Sequence, residues 1–139
     1  MNTKRITLCS AALGVFALSL LAQTTTPPAT PFGLIGVGGG ETARLNAYCR
    51  ADIPPGPCVV GFAFFDAQGN TLKQVTLTLM PGRAGSLDIQ GVEASATLRT
   101  QIVPAMKVGR GAVLATLEVF DNQTGATRAV MGPVASAAQ

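Results

Sequence analysis

Glu-Thr-Ala-Arg-Leu-Asn-Ala-Tyr-Cys at residues 41–49, a Pro/Gly-rich break at 50–57, and Cys-Val-Val-Gly-Phe-Ala-Phe-Phe-Asp at 58–66 decide the fold. In the first run Ala43, Leu45, Ala47 and Cys49 fall on one face, and Thr42, Arg44, Asn46 and Tyr48 on the other. That is the two-residue period of a half-buried strand. In the second run Val60, Phe62 and Phe64 alternate with Val59, Ala63 and Phe65, so both faces are apolar. A strand apolar on both faces belongs in the middle of a sheet. Pro54, Pro55 and Pro57 have no backbone donor to give to a ladder, which makes the break a loop.

The same rhythm continues in both directions. Upstream, Phe32 to Val37 is a short strand ended by Gly38-Gly39-Gly40. Downstream, Asp66 to Asn70 is a turn, because an Asp side chain accepts from donors ahead of it and Gly69 permits positive φ. Leu72 to Leu79 is a strand, Pro81-Gly82 a turn, and Gly85 to Ile89 a short strand. Val92 to Val103 fits a strand better than a helix, at least from Ala96, since a helical stripe would bury Arg99. Pro104 to Gly111 is predicted as a loop, Ala112 to Phe120 and Thr127 to Met131 as strands, and Asp121 to Gly125 as the turn between them. Two of these turns echo each other: Phe65-Asp66-x-Gln68 and Phe120-Asp121-x-Gln123 each end a strand and start another. Shared turn chemistry explains the echo without a repeat fold. About seven to eight short strands with regular turns predict an all-β chain, folded as an antiparallel β-sandwich after an N-terminal signal helix.

The ends of the chain suggest its destination. Lys4 and Arg5 precede an apolar run from Ile6 to Ala22, the layout of a secretory signal; a retained anchor is the alternative. Residues 23–31 are a Thr/Pro-rich linker, 32–134 the sandwich domain and 135–139 a frayed tail. With 1–22 removed, eight cations face seven carboxylates. The apparent basicity therefore belongs largely to the signal, and nucleic acid loses its support as a partner. Removal of Cys9 leaves Cys49 and Cys58, which an oxidising compartment pairs as a disulfide. Export places the protein in the periplasm, at the cell envelope or outside the cell. Membrane contact is expected only through the N-terminal segment if it stays uncleaved.

Chemistry-bearing patterns are sparse. The 139 residues include no His and no Trp, which excludes His-based triads, imidazole metal ligands and Trp-lined sugar platforms. Gly36-Val37-Gly38-Gly39-Gly40-Glu41 does not make a phosphate loop: a strand follows it, and Glu41 stands where a third glycine belongs. Asp66 and Asp121 lack the spacing of a calcium loop, and with Glu41, Asp52, Asp88, Glu93 and Glu118 they read as turn caps and solvated strand faces. Ser86, Ser95 and Ser136 have no base at a supporting spacing. No catalytic, cofactor or metal residue is therefore assigned. Tyr48 is the one ring placed to face outward, and Arg99, Lys107 and Arg110 gather around the loop predicted at 104–111. These four are the candidate contacts for a partner or ligand. Asn122-Gln123-Thr124 matches the N-glycosylation acceptor pattern.

From Gly40 to Ile89, the Gly-Glu-Thr-Ala-Arg-Leu-Asn strand, the Phe-Ala-Phe-Phe-Asp-Ala-Gln-Gly-Asn hairpin and the Val-Thr-Leu-Thr-Leu-Met-Pro-Gly turn resemble bacterial exported immunoglobulin-like or fibronectin-type domains. The chain departs from the antibody pattern, having no core Trp and a disulfide between strands adjacent in sequence instead of across the sandwich. The resemblance implies an immunoglobulin-like sandwich and carries no site. A non-enzymatic structural or protein-interaction module is the expectation, with an envelope or extracellular protein as partner. The alternative is a module binding a glycan or other small ligand through the loops at 50–57 and 104–111.

Overall fold

A computed structural model describes residues 29–51, 56–94 and 99–132. The predicted signal at 1–22, most of the predicted linker at 23–31 and the predicted tail at 135–139 lie outside the described residues, as do 52–55 of the predicted 50–57 loop and 95–98 of the predicted 92–103 strand. Nine strands and one short helix follow in order: β1 Thr30–Pro31, β2 Ile35–Gly38, β3 Glu41–Cys49, β4 Cys58–Asp66, β5 Thr71–Leu79, β6 Ala84–Gln90, α1 Gly91–Ala94, β7 Arg99–Arg110, β8 Val113–Asp121 and β9 Thr127–Met131. One five-stranded sheet runs β1-β7-β4-β5, with β2 also on β7, and a four-stranded sheet runs β6-β3-β8-β9. All pairings are antiparallel. The protein is an all-β sandwich, and β4 occupies the central position expected from its two apolar faces.

The inward residues of both sheets build one core. Ala43, Leu45 and Ala47 of β3, Ile89 of β6, and Leu117 and Val119 of β8 meet Val60, Phe62 and Phe64 of β4 and Ile102 and Met106 of β7. Phe32, Ile35 and Val37 close one side. The alternation read in 41–49 and 58–66 is the alternation that is buried.

Four local expectations are corrected. The first strand is split: Gly33, at φ 93°, turns the chain between β1 and β2, and pairing starts at Thr30, inside the segment read as linker. Residues 91–94 form α1, not strand, with Gly91 packed against Gly38 and the Glu93 carboxylate accepting from the Gln90 N–H at 3.1 Å. Residues 104–110 are not a loop but the second half of β7. Pro104 is tolerated there because its carbonyl accepts from Phe32 N–H at 2.9 Å. The carbonyl and the missing N–H of a strand residue point the same way, so the missing donor faces Phe32 in the gap between β1 and β2, and the proline forgoes one bond there and none to β4. Finally, Cys49 and Cys58 are bonded, but β3 and β4 lie in different sheets, so the bridge crosses the sandwich at one end.

The echoed turns share one chemistry. Asp66 Oδ1 accepts from the Gln68 and Asn70 amides at 2.9 and 2.8 Å, and Asp121 Oδ1 from the Gln123 and Thr124 amides at 3.0 and 2.9 Å. Gly69 and Gly125 take positive φ in each, and the ladder slips by a bulge beside each turn. The Asn70 side-chain amide chiefly holds the Asp66 carboxyl below its ordinary pKa, the Thr124 amide chiefly does so for Asp121, and the Gln90 amide, then Lys73, does so for Glu93. A carboxyl depressed in the folded state contributes stability above its unfolded pKa, near 4, and loses it as pH falls through the lower folded value. The melting temperature is accordingly expected to hold from pH 7 to about 5 and to fall below about 4. Asp66→Asn with Asp121→Asn should flatten that acid limb in calorimetric scans; an unchanged limb refutes the assignment.

Candidate functional site

Successive strands alternate in direction, so every second connection returns to the same end of the sandwich. The turns 80–83 and 111–112 lie at the end that carries the disulfide, where residues 50–51 leave β3 and residues 56–57 lead into β4. Three hydrogen bonds knit both turns to the end of β3: Cys49 N–H to Arg83 O at 2.9 Å, Gly82 N–H to Cys49 O at 2.8 Å, and Arg50 N–H to Ala112 O at 3.0 Å. Cys49 and Cys58 are buried beneath them. Gly111, at φ 86°, lets the β7–β8 turn press against the bridge, since a Cβ there would stand 2.7 Å from Cys58 Sγ.

This pole combines exposed apolar groups with arginines. Tyr48 is 41% exposed and pairs across the outer face of the four-stranded sheet with Leu114, 57% exposed, and with Ala84. Met80, 62% exposed, opens the neighbouring turn. Arg83 and Arg110 are exposed, and Arg50 stands with them on the hydrogen-bonded rim. Lys107 lies further up β7 on the outer face of the five-stranded sheet. There it borders a 430 Å³ trough with Gly61, Ala63, Gln74, Thr76 and Ala105, and Ala29 reaches the same trough.

The described carboxylates are elsewhere and each has work. Glu41 and Asp121 sit at the opposite pole, joined by Arg128 at 3.1 and 3.9 Å, and Glu41 also accepts from Gly38 N–H at 2.7 Å. Glu93 holds Lys73 at 3.1 Å, and Asp66 caps its own turn. Asp88 binds Arg44 through two 2.7 Å bonds midway along the outer face. Glu118 accepts from the Asn46 side chain at 3.2 Å in the same band. Among the described residues no group of three or more acids or thiols is arranged to hold a metal ion.

Neither a protein-family model, nor a curated protein, nor a solved structure matches this chain.

Of the four predicted contact residues, the structure brings Tyr48 and Arg110 to one pole and separates the rest. Arg99 and Arg110 close opposite ends of a 12-residue strand, roughly 36 Å apart along it, so the expected Arg99–Lys107–Arg110 cluster does not form. Arg99 instead borders the clefts at the far pole with Glu41 and Arg128. Sequence reasoning missed Arg83, Met80 and Leu114. The available signal was parity: the turn at 80–83 and the one before Val113 are each an even number of strands from the 50–57 loop.

Proposed function

We propose that this protein is an exported, non-enzymatic β-sandwich of immunoglobulin-like type that acts by contact at the cell envelope or outside it, with the disulfide pole as its contact surface. One observation carries the reading: exposed Tyr48, Leu114 and Met80 share an end with Arg83 and Arg110, while the described carboxylates are placed away from it. Exposed apolar groups ringed by cations form a contact surface, not an acid–base site. The apolar run at 6–22 and a disulfide that persists only in an oxidising compartment support export. The glycan alternative loses the 104–111 side of its loop pair, whose residues 104–110 belong to β7.

A second reading rests on a different feature. β9 covers β8 only from Leu117 onward, so the edge-facing backbone groups of Val113 and Ala115 have no strand partner among the described residues. That edge suits addition of a partner's strand. Tyr48→Ala with Arg110→Ala is expected to release the protein from a gently extracted envelope complex, with thermal stability changed by less than about 1 kcal/mol. Retention by that variant, together with release by Ala115→Pro, would move the contact to the β8 edge.

A further inference from the structure

We propose that the disulfide pole rests on an anionic membrane surface. The inference deepens the contact reading above, and rests on it, by naming the partner. Three features converge on the pole. The first is charge: Arg83 and Arg110 are exposed there, Arg50 stands on the rim and Lys107 on the flank, and all six described carboxylates lie in the middle or at the far end. Asp52 belongs to the 50–57 connection but lies outside the described residues. The second is chemistry. Met80 and Leu114 offer flexible apolar side chains and Tyr48 an amphipathic ring, the groups that enter the headgroup boundary while cations meet lipid phosphates.

The third is the direction of the chain. β1 pairs Thr30 with Met106 and Pro31 with Ala105, running antiparallel to β7, whose last residue Arg110 is at the pole. Thr30 is therefore the end of β1 nearer the pole, and Ala29 lies beside Lys107 in the trough. Where the apolar run at residues 6–22 is retained, the chain that carries it enters the domain at Ala29, at this end. An acidic glycan would answer the charge alone and an acidic protein the charge and the apolar side chains; a membrane surface also answers the entry of the N-terminal chain at this end.

The test is sedimentation of the oxidised full chain with vesicles of phosphatidylglycerol and phosphatidylethanolamine, against vesicles of phosphatidylcholine alone. Both variants below keep the N-terminal segment, so its own affinity cancels in the comparison. Arg83→Gln with Arg110→Gln is expected to weaken binding to the anionic vesicles about 30-fold and leave phosphatidylcholine binding unchanged. Lys73→Gln with Arg128→Gln removes the same charge from the other end and should weaken it by less than about threefold, because the far pole lies beyond the Debye length at physiological salt. Leu114→Ser should lower binding without altering its salt dependence. Equal loss in the two double variants would show that net charge, not the pole, is responsible, and would overturn the proposal. Binding to a soluble acidic polysaccharide with indifference to vesicles would overturn it as well. Cell fractionation separates the two claims: pole-dependent vesicle binding by a protein found only in the cytosol would uphold this inference and refute export.

Discussion

Gly91→Ala is expected to cost about 3 kcal/mol, the upper end for overpacking, and to be the most damaging methyl addition in the domain. A Cβ at Gly91 would overlap the Gly38 carbonyl oxygen and stand 2.6 Å from its carbon. The obstacle is backbone, so no rotamer change relieves it. The site is also tied from several sides. Gly91 opens α1, which carries the chain from β6 in one sheet to β7 in the other. Gly38 ends β2, pairs with Arg99 at the start of β7, and donates to Glu41 at 2.7 Å. Moving either backbone apart pulls on the crossover and on the β2–β3 turn together. Gly40→Ala, two residues along that turn, is the control: a Cβ there meets nothing within 4 Å, and its effect should lie within about 0.5 kcal/mol. Urea unfolding of the two variants checks both. A Gly91→Ala midpoint within error of the Gly40→Ala midpoint would show that the close approach is not a constraint on the fold.

Much of this architecture is legible in sequence because it depends on parity. Burial of Ala43, Leu45, Ala47 and Cys49, and of Val60, Phe62 and Phe64, follows from a period of two that a one-residue slip would reverse. The Asp66 and Asp121 turns follow from side chains that bond within five residues. What is not legible depends on distant partners. Pro104 reads as a loop because proline costs a ladder bond in most strands; here the neighbouring chain is interrupted at Gly33, a fact about a segment 71 residues upstream. Val92 reads as strand because nothing local reveals that Gly91 must fit against Gly38. Tyr48 was found through its face of β3. The arginines were misgrouped because Arg99, Lys107 and Arg110 are near in sequence, whereas an extended strand separates what sequence places together. Arg83 and Arg110, far apart in the chain, share a pole because two strands intervene and restore the direction of travel.

The disulfide is the other place where a large effect is expected. Reduction, or Cys49→Ala with Cys58→Ala, should lower stability by about 2.6 kcal/mol from chain entropy, for a bridge closing a separation of 9 residues. For a domain of this size that corresponds to a fall in melting temperature of roughly 10–20 °C. The expectation has a structural component beside the entropic one. The nearest strands to the bridge belong to different sheets, and no ladder bond joins β3 to β4. At this end the sheets are held by the bridge, by side-chain packing and by the 80–83 and 111–112 turns, which each pass from one sheet to the other. The rim bonds of Cys49 to Arg83 and Gly82, and of Arg50 to Ala112, lie directly over it. Reduction is therefore expected to loosen the pole first: hydrogen exchange should rise at Gly82 and Arg50 before it rises at Leu45 or Val119 in the core. The same loosening would spread Arg83 and Arg110 from Tyr48, so vesicle binding should weaken at temperatures where the reduced core is still folded. A midpoint unmoved by reductant would mean that packing alone closes this end, and would remove the bridge from the account of both stability and contact.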